Sequence, residues 1–78
     1  MTARRRRAPT QADRIERWLR DFGSISRAEA FAELGVAELS ARILELEREG
    51  RVVLRRETER HINRYGDTVR YTRYRLEG

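Results

Sequence analysis

The sequence predicts an α+β domain in which three short helices precede a C-terminal β-hairpin, with a brief strand between the first two helices. Three observations predict it. Apolar residues recur at helical spacing as far as Gly50, and a glycine (Gly23, Gly35, Gly50) closes each helical stretch. Beyond Gly50 the chain reads "RVVLRRETERHINRYGDTVRYTRYRL", rich in β-branched and aromatic residues at strand-like spacing. The central turn signal of that stretch, "NRYG", puts Asn63 and Gly66 where a type I hairpin turn favours them, with Gly66 suited to a bulge.

Each element follows in order. Residues 1–9, "MTARRRRAP", lack apolar periodicity and repel themselves, which predicts a disordered basic arm ahead of a folded domain over residues 10–78. Thr10 reads as an N-cap with Asp13 at the capping-box position. Helix 1 then places Ala12, Ile15, Trp18, Leu19 and Phe22 at helical spacing, with Asp13–Arg17 and Glu16–Arg20 as i,i+4 ion pairs. "SIS" (24–26) is too short for a helix and predicts a brief strand that lays Ile25 into the core. Ser26 and Glu29 of "SRAE" form a second capping box. The helix it opens should run to about Leu34 and bury Ala28 and Phe31 with Ala30 or Leu34.

Gly35 supplies a left-handed turn. Helix 3 is expected over roughly 37–49, its apolar seam marked by Val36, Leu39, Ile43 and Leu46. Strands at about 51–59 and 68–76 complete the hairpin. In the second strand Thr72, Tyr74 and Leu76 share one face, and Val69, Tyr71, Arg73 and Arg75 the other. Tyr74 and Leu76 should close the core, the arginine face should be wet, and Val53 is the core candidate on the first strand. The predicted core is Ile15, Trp18, Leu19, Phe22, Ile25, Phe31, Leu39, Ile43, Leu46, Val53, Tyr74 and Leu76. Three helices followed by a hairpin whose turn protrudes make a winged helix-turn-helix.

Composition narrows the function. The chain has no cysteine, so disulfides and cysteine-based zinc sites are excluded, and His61 has no ligand partner nearby in sequence. No nucleophile–base pair is visible, so neither an enzyme nor a cofactor or metal is expected. No apolar run is long enough for a membrane span or signal-peptide core, which predicts a cytoplasmic protein. All 18 basic residues are arginine, and the formal net charge of +5 points to an anionic partner.

That charge is unevenly placed. Residues 1–23 hold seven arginines against Asp13, Glu16 and Asp21. Residues 24–50 hold only Arg27, Arg42 and Arg48 against six glutamates, whereas residues 51–78 hold eight arginines against Glu57, Glu59, Asp67 and Glu77. Helix 3, the element shaped for a DNA groove, is acidic. Attraction to a nucleic acid would therefore come from its surroundings. Arg4, Arg5, Arg6 and Arg7 suit a minor groove or backbone. Arg60, Arg64, Arg70 and Arg73, with Asn63 at the wing tip, suit the adjacent backbone, and Arg27 is a further contact candidate. On helix 3, Ala37, Ala41, Glu45 and Arg48 form the far face, with Glu38 and Arg42 at its flank. The alanines allow approach to a base edge or thymine methyl, Glu accepts from cytosine N4, and Arg42 is a guanine reader. Glu38 and Arg42 equally suit a simple i,i+4 surface pair.

Three segments, "FGSISRAEAFAELG" (22–35), "LSARILELEREG" (39–50) and "HINRYGDTVRYTRYRL" (61–76), resemble the small winged helix-turn-helix proteins of phages and prophages. The resemblance implies this fold and binding of double-stranded DNA, as in transcriptional regulators and excisionase-like factors. Glu38 and Glu47 depart from it, standing where polar or basic residues are expected. The alternative is a protein-binding winged helix that inhibits host machinery such as a CRISPR effector, using Glu38, Glu45 and Leu44 against a basic groove.

Overall fold

The computed structural model of the chain describes residues 9–77. The expected arm lies outside the described residues except for Pro9. Helix α1 spans Gln11–Phe22. Its N-cap is Thr10, whose hydroxyl accepts from the Asp13 N–H while the Asp13 carboxylate accepts from the Thr10 N–H. Gly23 ends α1 in the left-handed conformation, its N–H donating to Leu19 O. Strand β1 is Ser24–Ser26, and Ser26 and Glu29 close the second capping box at the start of α2, Arg27–Leu34. Helix α3 runs Leu39–Arg48, followed by strands β2 (Leu54–Ile62) and β3 (Thr68–Leu76).

The three strands form an antiparallel sheet in the order β1-β3-β2. Ile25 lies opposite Tyr74, and Leu54 opposite Leu76, so one sheet face closes over the helices. Beneath it Ile15, Leu19, Ile25, Ala30, Val36, Ile43 and Leu46 are buried, with Ala12, Leu39, Val52 and Leu54 around them. Trp18, Leu34, Tyr74 and Leu76 pack against this cluster while remaining partly exposed. The Trp18 indole N–H donates to Ser24 O, giving its polar atom a partner at the core's rim.

Four expectations are corrected. Phe22 is 66% exposed and Phe31 67%. In α1 the inward stripe is Ala12, Ile15 and Leu19, which leaves Phe22 on the flank against Trp18, ring centroids 4.4 Å apart. In α2, Ala30 is the buried residue and Leu34, four positions on, is half-buried, so Ala28 and Phe31 turn outward. Val53 is exposed and its neighbours Val52 and Leu54 are buried, because residues 51–53 form a connector and β2 starts three residues later than expected. Arg17 pairs with Asp21 rather than Asp13, whose carboxylate is taken by Arg51.

The hairpin turn follows its sequence signal. Gly66 N–H donates to Asn63 O, and Gly66 is left-handed at φ +84°, a conformation that leaves glycine unstrained. The Asn63 carboxamide oxygen accepts from the Tyr65 and Asp67 N–H groups, fixing the loop.

Candidate nucleic-acid interface

The strand register assigns the hairpin's arginines to opposite faces. Even-numbered residues face as Tyr74 and Leu76 do, toward the helices: Arg56 opposite Tyr74, Thr58 opposite Thr72, Arg60 opposite Arg70. Arg56 reaches α3, donating to both Glu47 carboxylate oxygens at 2.9 and 3.0 Å, and lies 5.3 Å over the Tyr74 ring. Glu77 N–H donates to Val53 O, which makes Leu54–Leu76, and by alternation Arg60–Arg70, non-hydrogen-bonded pairs. Those are the pairs whose side chains lie closest. Arg60 and Arg70 therefore put two like charges on directly opposed positions of the same face.

On the odd face the arginines are held by carboxylates. Arg73 Nε donates to Glu59 at 2.9 Å and its Nη1 to Glu29 at 3.0 Å, and its side chain is only 16% exposed. Arg75 donates to Glu57 at 2.8 Å, and Arg55 pairs with Glu57 and Glu77. This face is an ion-pair ladder, not the wet arginine surface expected, and it binds β3 to α2 through Glu29. Arg73 holds the Glu59 carboxyl below the usual carboxylate range, and Arg75 does the same to Glu57.

The acidity of α3 has the same explanation. Glu47 is bound to Arg56, Glu49 to Arg51 and Glu45 to Arg42. Arg51 also joins Asp13 and Glu16 of α1, tying the end of α3 to the first helix. The Thr10 N–H, then the Arg51 guanidinium, hold Asp13 down to about 2. Arg20, then Arg51, lower Glu16, and Arg56 lowers Glu47. Of the α3 region's carboxylates, Glu38 makes no ion pair among the described residues and is exposed. It immediately precedes the helix, without a side-chain cap bond.

Arg27, Arg48, Arg60, Arg64 and Arg70 likewise have no ion pair among the described residues. Arg27 and Arg70 line one cleft of about 480 Å³ with Ala37, Glu38, Ser40 and Thr72, between the start of α3 and β3. Arg60 sits across from Arg70 on the face that looks toward α3, and Arg64 is at the exposed hairpin turn, its guanidinium 6.0 Å from the Tyr65 ring. Unneutralised positive charge thus flanks α3 on the hairpin side. The sequence matches the family described as winged helix-turn-helix domain over residues 10–77. The chain belongs to that family. No curated protein and no solved structure matches this winged helix-turn-helix chain. No helix among its described residues is long and apolar enough to cross a membrane.

The structure brings together Arg27, Ala37, Glu38 and Arg70 in the cleft, with Arg60 adjoining and Asn63 and Arg64 at the tip. Arg42 and Glu45 go elsewhere: they line a second cleft with Gln11, Asp13, Glu49 and Arg51, on the α1 side of α3. The expected Glu38–Arg42 pair does not form, because Arg42 pairs instead with Glu45, three residues later on the helix. Arg73 is withdrawn into the ladder. Arg4–Arg7 lie outside the described residues. Ser40 and Thr72 were absent from the sequence candidates, as was the Arg56–Glu47 bridge. The helical position of Ser40 and Glu47, both on the flank that meets the hairpin, is the signal that marks them.

Proposed function

We propose that this winged helix-turn-helix domain binds double-stranded DNA as a small phage-type regulator or excisionase-like factor in the host cytoplasm. In this reading α3 enters the major groove, the hairpin grips the flanking backbone, and an N-terminal arm of residues 1–9 adds phosphate contacts through Arg4–Arg7. The supporting observation is the Arg60–Arg70 pair. Like charges directly opposite on a sheet are destabilising, yet the neighbouring arginines of both strands are matched to carboxylates and these two are not. A phosphate between them relieves the repulsion and contributes affinity.

Neutralisation within the molecule also removes the objection posed by an acidic α3. Glu45, Glu47 and Glu49 are already matched, so a polyanion approaching the hairpin side meets mainly unpaired guanidinium groups. The same fact weakens the protein-docking alternative, which needs Glu45 available for a basic target. Fluorescence anisotropy with a labelled random-sequence duplex tests the proposal. Tight binding at low salt that weakens steeply by 200 mM is expected, with a large loss in the Arg60→Ser/Arg70→Thr double variant. Unchanged affinity in that variant would falsify it.

A further inference from the structure

We infer that α3 selects its site by the 5-methyl group of thymine, read by Leu44 and Ala41. The inference rests on the DNA-binding reading and assigns what the helix recognises there. At 100° per residue, buried Leu39, Ile43 and Leu46 set the inward direction of α3, and Ala41, Leu44 and Arg48 lie opposite them. Apart from Arg48 at its end, the long polar side chains within α3 that could compete for base edges are turned away from this face. Arg42 and Glu45 pair with each other on the α1 side, Glu49 is held by Arg51, and Glu47 is held by Arg56 on the hairpin side.

What remains outward is small and apolar at the centre and basic at the end. Leu44 is 51% exposed, with Ala41 one turn before it and exposed Arg48 one turn after. Among base-edge groups in the major groove, the thymine methyl is the apolar one, and every other feature is a donor or acceptor. A Leu–Ala surface offers nothing to those donors and acceptors and would leave them without water or partner. It gains by covering a methyl. The unpaired Arg27, Arg48, Arg60 and Arg70 supply the complementary charge that brings a phosphate-lined groove to this face rather than a protein surface.

The methyl can be removed or added without changing any hydrogen-bonding group. The full chain is titrated with four 20-base-pair probes read by anisotropy at one salt concentration. An alternating A·T duplex is compared with the same duplex carrying uracil for thymine, and a G·C duplex is compared with its 5-methylcytosine form. The expected result is about fourfold weaker binding per contacted methyl on uracil substitution, and tighter binding on cytosine methylation. Leu44→Ser should narrow the difference between thymine and uracil duplexes, with Ala41 keeping its share, and should weaken the thymine duplex more than the uracil one. Circular dichroism confirms that this exposed-site variant is folded. Equal binding of methylated and unmethylated probes by the unmodified chain overturns the inference and leaves DNA binding intact. No binding to any duplex overturns both.

Discussion

Arg60 and Arg70 are the residues at which stability and binding pull in opposite directions. They occupy directly opposed positions of a close strand pair, and neither has an ion pair among the described residues, so their like charges repel in the free protein. Replacing Arg70 with threonine should stabilise the unbound domain by about 0.5 kcal/mol, a rise of about 2–4 °C in Tm at low salt. The gain should shrink as salt screens the pair, while duplex affinity falls. A Tm that drops instead would mean that Arg70 is held by an unrecognised partner. Asp13 shows the opposite logic. Its carboxyl is held at about 2 against an ordinary 3.8, by the Thr10 N–H and then by Arg51. A depressed carboxyl contributes stability that is complete above the ordinary value and is lost as pH falls through the lowered one. Glu16, Glu47, Glu57 and Glu59 are shifted the same way. Melting temperature should therefore hold down to the ordinary carboxylate range and fall below it, and Asp13→Asn should flatten the most acidic part of that fall.

At the scale of elements, the parts with local chemical signals were legible in the sequence. Thr10, Ser26, Gly23, Gly35 and "NRYG" each specify a boundary through hydrogen bonds to nearby backbone, and each boundary forms as expected. Tyr74 and Leu76 were placed on the core side by simple alternation. What sequence left unread depends on contacts far apart in the chain. Phe31 looked like core because it is large, but an eight-residue helix has a narrow inward stripe that Ala30 occupies. Arg73 looked like a solvent-facing grip because nothing in its own strand shows that Glu29, 44 residues earlier, lies beside it. Glu29 thus serves two elements, accepting from the Ser26 N–H at the start of α2 and from Arg73 on β3. Ser26→Ala should cost about 1 kcal/mol through the cap alone. Glu29→Ala should cost more, about 2 kcal/mol, since it also leaves a half-buried guanidinium with one carboxylate fewer. Urea unfolding of the two variants decides it, and equal losses would show that the Arg73 contact adds nothing.

For the whole molecule, the arrangement separates structural arginines from available ones. The ladder on the odd face, the Arg51 junction and the Arg56–Glu47 bridge use acid against base to join helices to one another and to the sheet in a chain with little apolar material, whose hydrophobic residues make up 38% of the sequence. Arg14 has no carboxylate partner among the described residues but is held by the Leu34 and Pro9 carbonyls. The arginines left with neither kind of partner among the described residues, Arg27, Arg48, Arg60, Arg64 and Arg70, are those a polyanion can recruit. This division makes the salt dependence of binding quantitative. Each neutralised phosphate on duplex DNA contributes about −0.9 to the slope of log affinity against log salt. If those five residues each meet one phosphate, the folded part alone should give a slope of about −4.5. Arg4–Arg7, if each also meets a phosphate, would bring the full chain to about −8. Replacing the four arm arginines with alanine should then reduce the steepness by nearly half without changing Tm. Reversing Arg73 or Arg75 should alter stability and leave the slope almost unchanged, because those charges are already spent on carboxylates. A shallow slope in the unmodified chain, or one that responds to Arg73 as strongly as to Arg60, would show that the division drawn between paired and unpaired arginines does not govern what the surface binds.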